Sequence, residues 1–235
     1  MCFSKVAGFA FVWDDKNLIA KNPFLYQPDT LWRAFQSGFW ELTNVPHHIA
    51  MYRPVVIVSY FFEKQLFGDD PMGFHMVNLA LHALNATLVG LLAEQITRRP
   101  ATCLPAALLF LAHPVQYEAI ANIASRTDLL ATAFGLAATL CWLSTHVSQS
   151  HEKAFRALGI FFLIPALLSK EAAVIWPVAW PLLRAARDGK FRLRIQDAIP
   201  LVVLGGYTAL RSIVLHSVVP LSTVEGWQGP WRLGL

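Results

Sequence analysis

The sequence predicts an all-α protein, a polytopic bundle of transmembrane helices with a large first loop on the extracytoplasmic side. Three observations predict it. Of 235 residues, 55% are apolar and only 14% charged, with mean hydropathy +0.45; soluble domains carry about 25% charged residues. The apolar residues come in helix-length blocks. The excess positive charge, net +4, sits in short clusters between those blocks. That placement orients a chain in a membrane and does not suit nucleic-acid binding. Cys2, Cys103 and Cys141 lack metal-ligand spacing, and the latter two, inside apolar segments, read as small hydrophobes. No metal and no cofactor is expected.

Residues 1–13 offer roughly ten apolar positions, half of the about 20 a span needs, and read as the remainder of a first transmembrane helix. Asp14 and Asp15 then open the largest polar tract, residues 14–73, read as the extracytoplasmic loop. Within it Asp29 is placed to cap a short amphipathic helix carrying Leu31, Trp32 and Phe35. Pro54 suits the first position of a second helix running through Phe67. Its expected apolar face is Val55, Val58, Phe61, Phe62 and Leu66, with Glu63 and Lys64 pointing elsewhere, as in a helix lying in the interface plane. Gly68 to Pro71 breaks it.

The transmembrane part is expected over 74–219. Phe74 to Ile96 is the best span and carries His75, Asn78, His82 and Asn85 on one stripe. Polar residues so placed face protein or water, and more often join helices than touch substrate. Arg98 and Arg99 close it. Leu104 to Ala112 ends at His113-Pro114, and the chain returns to an aqueous face through Glu118, Arg126 and Asp128. Leu129 to Val147 is the next crossing, with Lys153 and Arg156 after it. Segments 155–168 and 172–183 flank Ser169-Lys170-Glu171, and the basic cluster Arg184, Arg187, Lys190, Arg192, Arg194 follows. A last span covers about 198–219 and contains Arg211, and residues 220–235 read as an extracytoplasmic tail.

Orientation tests this layout. Basic clusters belong on one side, so an even number of crossings must separate each pair. Arg99 to Lys153 gives two. Arg156 to Arg184 gives two only if the chain turns at Ser169-Lys170-Glu171, with short helices bent near Pro165, Pro177 and Pro181. Under this topology Asp14/Asp15, the Tyr52-Arg53 tract with His75, the turn from His113 to Asp128, and Lys170-Glu171 meet at one membrane face. Converging carboxylates, cations and imidazoles look like a site.

The ordered set of pieces carries a resemblance. They are Phe11-Val12-Trp13-Asp14-Asp15 with Asn22-Pro23, Phe39-Trp40, Tyr52-Arg53-Pro54, Gly73-Phe74-His75-Met76-Val77-Asn78, His113-Pro114-Val115-Gln116-Tyr117-Glu118, Ser125-Arg126-Thr127-Asp128 and Ser169-Lys170-Glu171. Together they resemble the transmembrane and tetratricopeptide-repeat O-mannosyltransferase family, with its bacterial relatives, in the GT-C glycosyltransferase superfamily. The likeness covers nearly the whole chain, as one GT-C-like membrane domain over 1–235. It departs in a short first helix and in the absence of any 34-residue repeat.

The resemblance implies transfer of a sugar, mannose first, from a polyprenyl-phosphate donor to a protein hydroxyl on the lumenal or periplasmic side. The acceptor needs a positioned base, and Asp14 or Asp15 is the candidate. Charge developing on the leaving phosphate needs cations: Arg53, Arg126 and Lys170 are the choices. Glu118, Asp128 and Glu171 would orient those cations or bind sugar hydroxyls, with His75 and His113 completing the donor site. The expected partners are the lipid-linked donor, an acceptor protein and the bilayer, with no nucleic acid. Motif style around Ala121 to Arg126 favours a bacterial inner membrane over endoplasmic reticulum. A transporter lined by the same residues and a non-catalytic membrane scaffold are the alternatives.

Overall fold

A computed structural model describes residues 6, 8–43, 50–144 and 149–216. Residues 1–5 and 7 of the expected helix remainder at 1–13, the Pro46-His47-His48 stretch, the end of the 129–147 crossing, the last residues of the 198–219 span and the 220–235 tail lie outside them. Among the described residues every regular element is helical.

The polar tract folds into a compact cap of short turns. Asn22 caps the turn Pro23–Tyr26 by accepting from Phe24 N–H at 3.0 Å, and its amide donates back to Leu18. The next helix, α1 (Thr30–Arg33), is a single turn, and Asp29 does not cap it. Its carboxylate pairs with Arg33 instead, at 2.8 Å, and Trp32 and Phe35 are exposed. Too short to bury a stripe, this element leaves the core to Leu18, Ile19, Leu25, Phe39, Trp40 and Leu42.

Helix α2 (Pro54–Phe67) begins at its proline as the sequence indicates. Its expected face is split: Phe61 is buried and Val55 and Val58 pack against the core, but the rest turns outward. Val56, Ile57, Tyr60, Glu63 and Lys64 are buried, while Phe62 and Leu66 are exposed. The ions decide the rotation. Glu63 pairs with Arg126, and Lys64 donates to the Ile19 carbonyl at 3.0 Å and to Asp69. Hydrophobic spacing cannot foresee partners from distant elements.

Helix α3 (Pro71–Thr97) starts with Asp70 accepting from Met72 N–H and ends with Arg98 at φ +58°. His75, Asn78, His82 and Asn85 fall on its buried stripe. Asn78 and Asn85 donate to the carbonyls of Asn122 and Leu129, and His82 Nε2 lies 3.1 Å from that of Leu111. The stripe joins helices, the work that polar residues do where apolar burial cannot discriminate. Gly90 lets α4 (Cys103–Ala112) lie close, since a Cβ there would sit 2.6 Å from the Cys103 carbonyl.

A short helix, α5 (Gln116–Ala121), leads to α6 (Arg126–Leu143), the most buried helix. It packs between α3 and α7 (Gln149–Leu167). Next come α8 (Ile175–Asp188) and α9 (Ala198–Leu215). Trp180 stacks on Trp142, with ring centroids 4.7 Å apart, and donates to Thr139 at 2.8 Å. Residues 149–188 are thus two helices turning at Ser169-Lys170-Glu171, the arrangement that the basic clusters require.

Among the described residues two helices are long and apolar enough to cross a membrane, Pro71–Thr97 and Ile195–Leu215. At one end of the bundle Arg98 meets Asp188, and Arg187 donates to the Leu143 carbonyl. The opposite end carries the loop cap, the start of α6 and the turn between α7 and α8. Arg211, near the end of α9, donates to the Ala50 carbonyl there at 3.1 Å.

Candidate functional site

Adjacent in sequence, Asp14 and Asp15 part company in space. Asp15 is fully buried. Its Oδ1 accepts from Ala124 N–H at 2.7 Å and its Oδ2 from Val12 N–H at 3.3 Å. Burial pushes its carboxyl above the ordinary range, partly offset by those N–H donors and raised slightly further by neighbouring Asp14. Asp15 is a staple between the loop and the approach to α6. With both oxygens occupied, it is unavailable to an acceptor hydroxyl. Asp14, one residue away, is exposed.

Arg126 departs equally from the role expected of it. Its guanidinium is fully buried, where Glu63, Asn78 Oδ1 (2.5 Å) and the Phe74 carbonyl (2.9 Å) take its donors and Tyr60 lies beneath it at 5.4 Å. A fully buried arginine with three of its five N–H groups bonded to the protein presents nothing to a phosphate at the surface. Sequence reading assigned Arg126 to a wet turn; the structure makes it the first residue of α6 and the hub joining α2, α3 and α6. His75 is also fully buried, edge-on to Phe9 with centroids 6.2 Å apart, away from any open surface. His113 and Glu118 are exposed, His113 Nδ1 accepting from Val115 N–H at 3.2 Å. Neither is joined to the charged pairs described next.

What remains open is a pair of ion pairs. Arg53 donates through Nε and Nη2 to one oxygen of Glu171, at 3.2 and 3.0 Å, and Tyr52 N–H points at the other oxygen at 3.4 Å. Phe39 underlies the Arg53 guanidinium at 5.6 Å. One residue from Glu171, Lys170 pairs with Asp128 at 2.5 Å. The side chains of Arg53, Glu171 and Lys170 are partly exposed and that of Asp128 is half-exposed. Val55 N–H bonds the Leu168 carbonyl, locking the start of α2 to this turn.

Immediately beside it lies an apolar groove of about 210 Å³ between α7 and α9, lined by Ile164, Leu167, Leu168, Val203, Gly206, Tyr207 and Leu210. Leu168 of its lining takes the Val55 N–H, and Tyr207 shares a buried cluster with Tyr52, so the groove adjoins the turn that carries the ion pairs. The arrangement offers cations that can exchange a carboxylate for a phosphate, next to a slot for an apolar chain.

No family model and no solved structure matches the chain. Curated relatives do. A Caenorhabditis elegans protein O-mannosyl-transferase, F38B6.6, is 33% identical over 174 residues, covering 72% of this chain and 24% of that protein. Drosophila melanogaster protein O-mannosyl-transferase Tmtc2 is 32% identical over 71% of this chain and 18% of its own length. Human protein O-mannosyl-transferase TMTC4 is 31% identical over 74% and 26%. The chain is a homologue of the TMTC-family protein O-mannosyl-transferases. The matched part amounts to about a quarter or less of those relatives.

For this O-mannosyl-transferase homologue, sequence reading missed Glu63 and Lys64 as buried partners, of Arg126 and of the Ile19 carbonyl with Asp69. A signal was present: two charged residues inside an apolar helix are costly unless paired. Tyr207 carried no such signal, because a tyrosine within a span is unremarkable.

Proposed function

We propose that this chain is the membrane part of a GT-C-type glycosyltransferase. It would move a sugar, mannose by analogy with the relatives' names, from a polyprenyl-phosphate donor to a protein hydroxyl on the extracytoplasmic face. The observation that carries the reading is the placement of two partly open cationic pairs, Arg53–Glu171 and Lys170–Asp128, against the apolar groove between α7 and α9. A lipid phosphate needs both features together: cations for the charge that develops as the glycosidic bond breaks, and apolar surface for the prenyl chain. An arginine fork matches a phosphate in two contacts, whereas lysine offers a movable point charge.

Asp14 is the base in this scheme. Its carboxylate is exposed, and its neighbour Asp15 anchors the backbone beside Ala124, so the loop that presents it is fixed. It takes the acceptor hydroxyl's proton as the oxygen attacks the anomeric carbon, and the polyprenyl phosphate leaves with the bonding pair. A positioned base of this kind contributes roughly 10²–10⁴ in rate. Glu171 and Asp128, released from their cations as the phosphate binds, are then available to sugar hydroxyls.

The test is transfer from polyprenyl-phosphate mannose to an acceptor protein by the purified membrane protein. Arg53→Gln should raise the donor KM about tenfold, as expected when a charge-assisted contact worth about 1.5–3 kcal/mol is lost, while thermal stability changes little. An unchanged donor KM in the Arg53→Gln, Lys170→Gln double variant removes the phosphate site.

A further inference from the structure

The opposite end of the bundle carries a second surface, which the transfer reaction does not use. Residues 190–195 read Lys-Phe-Arg-Leu-Arg-Ile, cation and hydrophobe in strict alternation. None of the six is helical until Ile195, and Arg194 is extended at φ −116°, ψ 148°. Where the backbone is extended, as at Arg194, such alternation turns successive side chains to opposite sides. All six are exposed, Phe191 by 59%, Leu193 by 72% and Ile195 by 96%.

This irregular segment is held from behind. The nearly buried Arg184 donates to Asp197 at 2.9 and 2.6 Å and to the Arg192 carbonyl at 2.9 Å, and Asp197 also accepts from Arg194 N–H at 2.8 Å. Backbone atoms of Arg192 and Arg194 make those contacts, so their guanidinium groups are left to face outward. Gly189, at φ +69°, turns the chain out of α8. Nearby acids are already engaged, Asp188 by Arg98 and Arg187, and Asp197 by Arg184. Arg99 adds another exposed cation at this end.

We propose that residues 190–195 form a contact site for anionic lipid headgroups, with Phe191, Leu193 and Ile195 immersed at the headgroup boundary and Lys190, Arg192 and Arg194 against the phosphates. The proposal rests on the reading that α9 spans a bilayer. The apolar helix from Ile195 to Leu215 continues directly from the segment, which puts the segment at the depth where headgroups lie. Charge complementarity selects anionic lipid as the occupant. The exposed side chains of residues 190–195 carry positive charge alone, the nearby Asp188 and Asp197 being paired with Arg98, Arg187 and Arg184, and each cation near an anionic leaflet is worth roughly a fivefold bias.

A nitroxide on Leu193→Cys, in the full chain with Cys2, Cys103 and Cys141 changed to serine, reports the segment's depth from its relative accessibility to oxygen and to a neutral nickel chelate. The chain is placed in vesicles of phosphatidylcholine, alone or mixed with phosphatidylglycerol. The expected result is a roughly fivefold higher oxygen-to-nickel ratio with phosphatidylglycerol, lost in high salt and lost in the Arg192→Gln, Arg194→Gln double variant. Equal ratios in the two lipids overturn the proposal. A label at Leu201→Cys separates its failure from that of the topology: lipid exposure there with equal ratios at position 193 sinks the headgroup site alone, whereas water exposure at position 201 sinks the spanning reading as well.

Discussion

Arg98 donates to Asp188 across 3.0 Å, tying the end of α3 to the end of α8. Arg187, beside that aspartate, reaches the Leu143 carbonyl at the end of α6. Three helices therefore finish together at the basic end, and Asp14, Arg53 and Lys170 belong to the elements at the other. Cysteines introduced at Arg99 and Lys190 should react with an impermeant maleimide from one side of sealed vesicles, and cysteines at Asp14 and Lys170 only from the other. Reaction of Lys170→Cys from the same side as Arg99→Cys would dismantle the two-ended bundle.

Asp14 and Asp15 should fail differently. Asp14→Asn is expected to lower transfer about 100-fold or more while unfolding as wild type. Asp15→Asn should cost about 1–3 kcal/mol of stability, because an amide nitrogen then faces a backbone N–H that has lost its acceptor. Its effect on pH dependence has a definite sign. Burial holds the Asp15 carboxyl above its ordinary 3.8, so the folded chain keeps that proton after the unfolded chain has released it. Stability from this group declines as pH rises from about 3.8 through the folded value. Subtracting the Asp15→Asn profile from wild type, in thermal melts taken in detergent from acid to neutral pH, should reveal that decline.

Arg126 is predicted to act on folding before it acts on catalysis. Arg126→Met leaves Glu63 as an uncompensated buried carboxylate, a loss of about 3–5 kcal/mol. Replacing both by methionine should recover a large part of that loss. Denaturant titration of the two singles and the double measures the coupling. Additive losses would mean that the pair is not a unit.

The groove makes a prediction that separates chain length from headgroup. A Cβ at Gly206 meets nothing within 4 Å, so Gly206→Leu adds bulk to the groove without a backbone clash. It should raise the KM for a long polyprenyl donor by roughly tenfold, the value of one or two displaced side-chain contacts, and leave a short-chain soluble donor unaffected. Equal effects on both donors would place the prenyl chain elsewhere.

Much of the scaffold was legible before any coordinates. Pro54, Asp70-Pro71 and the basic clusters marked helix starts and ends through local chemistry. The parity of crossings between Arg156 and Arg184 required a turn at Ser169-Lys170-Glu171. Helix facing was less legible. For α2 the apolar spacing chose Phe62 and Leu66, and the structure buries Glu63 and Lys64. A membrane-facing helix can expose aromatics without penalty, so hydrophobicity loses its power to name the inner face there.

The sequence by itself determined an α-helical, membrane-suited chain with its charges sorted to two ends, because helix periodicity, proline positions and the placement of arginines are local or additive properties. Only the tertiary structure decided which charges are spent and which are free. Asp15 and Arg126 look as available as Asp14 and Arg53 in one dimension. In three, the first pair is buried and consumed by Ala124, Glu63 and Asn78, while Asp14 is exposed and Arg53, paired with Glu171, keeps an edge at the surface. Whether a buried ion finds its partner depends on contacts between residues tens of positions apart, which no local pattern encodes.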